Sequence, residues 1–114
     1  MKSIKDIINT DSSESKKQDK SYFIDLLKRI GIQGNIAYRW ANEKPLDFLA
    51  RKIMLLEYFK TTDLKIENDV AFMKAAVDYD KWGEPEDYFK YAKQRAEQLL
   101  ESKDMALKIL GAYL

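Results

Sequence analysis

Residues that let a chain reverse direction are scarce in this sequence. Its 114 residues include four glycines, at 31, 34, 83 and 111, and two prolines, at 45 and 85. A sheet of short strands needs a turn signal roughly every 8–12 residues, which this chain does not supply. Long stretches rich in Lys, Glu, Leu and Ala favour helices instead. The sequence therefore predicts an all-α bundle of five or six helices around one core, since a chain of this length fits a single domain. With 46% apolar and 34% charged residues, wholesale disorder is excluded.

The chain has no cysteine and no histidine. Disulfides, thiol nucleophiles, zinc fingers and imidazole acid-base chemistry are all excluded by that pair of absences. There is no glycine-rich phosphate loop and no nucleophile-base pair, so no enzyme, cofactor or metal site is expected. Uninterrupted apolar runs are too short to span a bilayer. The opening "MKSIKDIINTDSSESKK" lacks the apolar region of a secretory signal, which makes a cytoplasmic location the default expectation.

Apolar spacing sets the expected elements. Ile4, Ile7 and Ile8 suit a short helix over 3–9. The polar run "TDSSESKKQDK" at 10–20 has nothing to bury and reads as a linker, making residues 1–20 a flexible segment ahead of one domain at 21–114. Ser21 offers an N-cap to a helix over 22–30 with Phe23, Leu26, Leu27 and Ile30 on one side, stopped by Gly31. A short helix fits 34–41. Pro45 opens another, about 45–60, whose apolar residues cover enough of its girth to make it central. The "TTDLKIEND" segment stays open between loop, helix start and short strand. Ile66, Val70, Met73 and Val77 predict a helix ending before Gly83. From Pro85 a long C-terminal helix runs toward Tyr113 through Phe89, Ala92, Ala96 and Leu99, with the polar "ESKD" at 101–104 as its natural bend.

The stretch "RIGIQGNIAYRWANEKPLDFLARKI", Arg29 to Ile53, carries a more specific pattern. A helix-turn-helix needs a turn residue tolerant of positive φ, apolar positions that lock its two helices, and polar side chains on the outer face of the second. Around Gly31 the slots one and five residues back hold Ile30 and Leu26, the next residue is Ile32, and six and nine ahead are Ala37 and Trp40. This arrangement, continued by Arg39-Trp40, an Asn- and Lys-containing loop, Pro45 and Lys52-Ile53, resembles the phage Cro and repressor type of helix-turn-helix domain over about residues 21–60. Two departures stand out. Leu27 replaces the family's usual alanine while small Ala37 replaces its Ile or Val, an exchange that conserves volume if the two face each other. Gln33 stands where Ser or Thr would cap the second helix better.

The resemblance implies double-stranded DNA as the partner. Gln33, Asn35, Tyr38 and Arg39 become candidate contacts: Asn pairs bidentately with adenine, Arg with guanine, and Tyr reaches phosphate. Lys28, Arg29, Lys44, Arg51 and Lys52 are candidate phosphate contacts, with a solvated charged face as the plainer alternative. Charge distribution agrees with the first reading. The net charge is only +1, but residues 16–65 carry eleven cations against six anions, while residues 66–114 carry a net −3.

Two further patterns occur in the second half of the chain. "DYDKWGEPEDYF" at 78–89 begins like a calcium loop but has Phe89 where a bidentate Glu belongs. Trp82, Tyr88 and Tyr91 belong to a dense aromatic group that would bind a protein partner wherever it is exposed. The leading expectation is a small DNA-binding regulator of transcription, phage- or plasmid-like, self-associating through its C-terminal helix into a homo-oligomer. The alternative is a helical protein–protein interaction module: an inhibitor, adaptor or small subunit of a nucleoprotein assembly.

Overall fold

Local residue choice fixes where most of the six helices among the described residues begin and end. They are α1 (Ile4–Ile30), α2 (Gly34–Glu43), α3 (Leu46–Lys60), α4 (Asp69–Asp78), α5 (Glu86–Leu100) and α6 (Met105–Ala112). The structure, a computed structural model, describes the backbone of residues 4–62 and 65–114, and the side chains of these residues from Lys17 onward. No strand occurs among the described residues, so the all-α expectation holds. None of the described helices is long and apolar enough to cross a membrane.

The largest departure lies in α1. The sequence predicts a linker over 10–20 and an N-cap at Ser21, yet one helix runs through both. No glycine or proline interrupts residues 4–30, and Lys, Glu and Gln tolerate helix well. Once the packed turns around Phe23 and Leu27 exist, each added residue gains a backbone hydrogen bond without a new nucleation cost. The side chains of Ile4, Ile7 and Ile8, expected on one face, lie outside the described residues, as do Asp63 and Leu64 of the ambiguous segment.

Proline and side-chain caps set the other boundaries. Lys44 is extended (φ −106°, ψ 147°), the conformation its position before Pro45 favours, so α2 ends at Glu43. The Asn68 side chain accepts a hydrogen bond from the Ala71 N–H at 3.0 Å and starts α4. The expected single helix from 85 to 114 is instead two. α5 stops at Leu100, residues 101–104 reverse the chain, and α6 folds back along α5. Gly111 makes that approach feasible: a Cβ there would sit 2.8 Å from Leu99 Cβ and 3.0 Å from the Ala96 carbonyl oxygen.

Helix α3 is the hub, touching α1, α2, α4 and α5. Leu49, Ala50, Ile53, Met54, Leu55 and Leu56 are buried on it, as its broad apolar girth predicts. On α5 the inward stripe differs from expectation. Tyr88, Ala92 and Leu99 face the core, whereas Phe89 is 55% exposed. One residue of offset turns a helix by about 100°, enough to exchange neighbours between core and surface.

Asp104 ties the start of α6 to the last turn of α1. Its Oδ1 accepts from the Ala106 and Leu107 N–H groups at the start of α6, and its Oδ2 accepts from Arg29 Nη1 at 2.8 Å. The Arg29 guanidinium first, and the Leu107 and Ala106 amides after it, hold the carboxyl below the usual carboxylate range against the opposing effect of desolvation. A folded-state value below the unfolded one means that stabilisation is complete above the unfolded pKa, roughly 4, and is lost as pH falls through the folded value. Thermal unfolding of the wild type should therefore fall more steeply below pH 4 than that of Asp104→Asn, which keeps a capping oxygen but no charge. Parallel pH profiles would contradict this assignment.

Candidate nucleic-acid interface

Three residues separate α1 from α2, and their geometry is set by Gly31. Its φ of +116° lies where L side chains are rarely found. The Gly31 N–H donates to the Lys28 carbonyl and the Ile32 N–H to the Leu27 carbonyl, both at 3.0 Å. This is the paired bonding of a Schellman motif, which satisfies carbonyls that the helix end would orphan. Leu27 and Ile32, at the positions that touch in such a motif, are both buried.

From this turn α2 leaves with two opposed faces. Ala37, Trp40 and Ala41 are completely buried, while Asn35, Tyr38, Arg39 and Asn42 are exposed at i, i+3, i+4 and i+7. Leu27 and Ala37 are both fully buried, on α1 and α2, two helices that pack against each other. Gln33 is the N-cap residue and makes no side-chain capping bond, in line with its poor fit to that position. It is exposed beside Asn35. Asn42 is absent from the sequence-derived set because the helix was expected to stop at 41. The residue-before-proline rule places that stop near 44 and would have recovered it. Its side-chain amide donates to the Tyr38 carbonyl at 2.8 Å.

Arg39 is held rather than free. Its Nη2 lies 3.2 Å from Asp78 Oδ2, and Asp78 Oδ1 also accepts from Trp40 Nε1 at 2.9 Å. One carboxylate at the end of α4 thus ties the surface arginine and the buried tryptophan of α2 together. Both Arg39 and Asp78 are partly solvated, so their attraction alone is worth about 0–1 kcal/mol.

The five candidate phosphate contacts divide sharply. Lys28 is exposed and Lys44 half-buried next to Pro45, with no ion pair for either among the described residues. Arg51 is exposed but lines a groove with Phe89 and Leu114, on the α5 side of α3. Arg29 is committed to Asp25 at 2.6 Å and Asp104 at 2.8 Å. Lys52 does not fit the role: its side chain is 4% exposed, and its ammonium bonds Asp80 at 2.6 Å and the Trp82 carbonyl at 3.3 Å. Its long apolar stem packs into α3's surroundings while the charge meets Asp80 at the rim.

The aromatic group is structural. Tyr88 is 1% exposed and donates its hydroxyl to the Arg51 carbonyl at 3.1 Å. Burial pushes its ionisation well above the ordinary tyrosine value. Trp82 stacks on Phe72 with ring centroids 5.3 Å apart, and Tyr91 packs on Tyr58 at 5.5 Å. These three rings serve the core and its margin, which removes Tyr88 from any partner surface and leaves only partial exposure to the other two. Asp78 and Asp80 of the calcium-like stretch are spent on Arg39, Trp40 and Lys52. No cluster of three or more acidic, His or Cys residues able to hold a metal occurs among the described residues.

Comparison with family models, curated proteins and solved structures gives no match for this chain.

Proposed function

We propose that this protein binds double-stranded DNA through the outer face of α2, acting as a small cytoplasmic regulator of transcription. The observation that carries the reading is the division of α2. One face is sealed into the core by Ala37, Trp40 and Ala41, and the other presents Gln33, Asn35, Tyr38 and Arg39 together. A rigid short helix with free polar side chains is what major-groove reading requires. The Arg39–Asp78 pair suits exchange, because a weak solvated pair costs little to trade for a bidentate contact to guanine.

Arg29 and Lys52 are removed from the expected phosphate contacts, which leaves Lys28 and Lys44 near α2, with Arg39 between base and backbone. About three neutralised phosphates per protomer predict a log–log salt slope of about −3. Fluorescence anisotropy of a random duplex, titrated from low to moderate salt, measures it directly. Arg39→Ala should weaken binding about 5- to 100-fold. Asp78→Asn, which removes a neighbouring negative charge and loosens Arg39 while keeping an acceptor for Trp40, should tighten it several-fold. No binding at low salt, or no response to either substitution, would refute the proposal.

A further inference from the structure

Helix α5 exposes a stripe that the chain itself does not cover. Phe89, Lys93, Ala96 and Leu100 recur at i, i+4, i+7 and i+11, so they lie along one side of the helix over three turns. Phe89 is 55% exposed and Leu100 45%, two of the five large hydrophobic side chains in the described residues that stand in solvent. Ala96 is small and half-buried against the neighbouring Gly111 of α6. Beside the stripe run Lys90, Glu97 and Glu101, all exposed. Lys90, Lys93, Glu97 and Glu101 make no salt bridge among the described residues, whereas Arg95, on another side of the same helix, binds Glu57 at 3.0 Å.

We infer that this face of α5 docks against the same face of a second copy, antiparallel, across a two-fold axis passing beside residue 95. The order of charges selects that occupant. With the axis there, Phe89 meets Leu100 of the second copy, Lys93 meets Glu97, and Lys90 meets Glu101, each contact occurring twice by symmetry. In an antiparallel pair each flank of one helix faces the same flank of the other, which keeps these partners within reach. In a parallel pairing the same flank of the second helix would lie on the opposite side of the seam, so Lys90, Glu97 and Glu101 would meet no opposite charge from their own flank. Small Ala96 near the axis lets the backbones approach to about 8–10 Å.

A helix of 15 residues is only about 22 Å long, so this contact is smaller than a standard stable interface. Half-dimerisation is expected on the order of tens of micromolar, corresponding to about −6 kcal/mol. The inference does not depend on DNA binding, and its test contains no DNA. Sedimentation equilibrium of the full chain from a few to several hundred micromolar should show the mass rising from 13.4 kDa toward twice that value. Phe89→Glu should weaken association at least tenfold. Lys90→Glu and Glu101→Lys should each weaken it severalfold, and the chain carrying both should recover to within about twofold of wild type. Those two residues lie eleven positions apart on one helix, about 16 Å, too far to pair within a chain, so recovery can only come from the second copy. A wild type that stays monomeric throughout, or a doubly substituted chain that associates no better than the single ones, would overturn the inference.

Discussion

Trp40→Ala is expected to destabilise the protein by about 3–5 kcal/mol, the usual cost of deleting a buried large aromatic side chain. Trp40 is completely buried and ranks with Tyr88 and Phe23 among the largest side chains that are. Its loss opens a cavity where α2 meets the rest of the bundle, which rigid neighbours fill only in part. It also removes the 2.9 Å hydrogen bond to Asp78. A domain of this size has a total stability of about 5–15 kcal/mol, so much of the margin disappears. The melting temperature should fall by roughly 10–20 °C, given about 4 °C or slightly more per kcal/mol at this length. Trp40→Phe separates the two contributions. It keeps most of the ring volume but leaves Asp78 with Arg39 alone, and should cost about 1–2 kcal/mol. Urea unfolding of the two variants measures both values. A loss under 1 kcal/mol for Trp40→Ala would mean that α2 is not seated as described.

Why this helix was legible in the sequence while other parts were not is a matter of which forces are local. The two faces of α2 follow from periodicity over ten residues, and its start and stop follow from Gly31 and Pro45. Helix α3 was equally clear, since few of its turns lack an apolar residue. The fate of Lys52 is not legible locally because it depends on Asp80, almost thirty residues away, whose carboxylate lies 2.6 Å from the Lys52 ammonium. Tyr88 and Phe89 are adjacent aromatic residues, either of which fits an apolar spacing on α5. The choice between them is made by the helix's rotation against α3 and α6, and the spacing of Ala92, Ala96 and Leu99 does not encode that rotation. The break at residues 101–104 was visible as polarity, but the return of α6 along α5 rests on one hydrogen-sized side chain at Gly111. In α1 the polar run lacks apolar residues yet also lacks any helix breaker, and continuity with a packed helix decided the outcome.

Two glycines three residues apart should respond to substitution in opposite directions. Gly31→Val is expected to cost about 3 kcal/mol or more. A non-glycine residue at a strained φ loses about 1–3 kcal/mol, and β-branched valine is among the least tolerant. The space is also occupied: a Cβ at Gly31 would lie 3.1 Å from Val70 Cγ2, so the turn and the start of α4 compete for one position. Relief requires residue 31 to leave φ +116°, which breaks the paired hydrogen bonds to the Lys28 and Leu27 carbonyls and rotates α2 on α1. Gly34 lies at the first position of α2 with nothing within 4 Å of its would-be Cβ. Gly34→Ala should therefore stabilise by about 0.5 kcal/mol, since alanine loses less backbone entropy in a helix. Equilibrium unfolding by urea gives both signs in one experiment. The DNA reading adds a sharper requirement, because Gly31→Val turns the face carrying Asn35 and Arg39 relative to the rest of the domain. At a temperature where most of that variant is still folded, its DNA affinity should fall by more than its unfolded fraction accounts for, while Gly34→Ala binds like wild type. Equal stability of Gly31→Val and wild type would show that the turn between α1 and α2 does not have the conformation on which the interface rests.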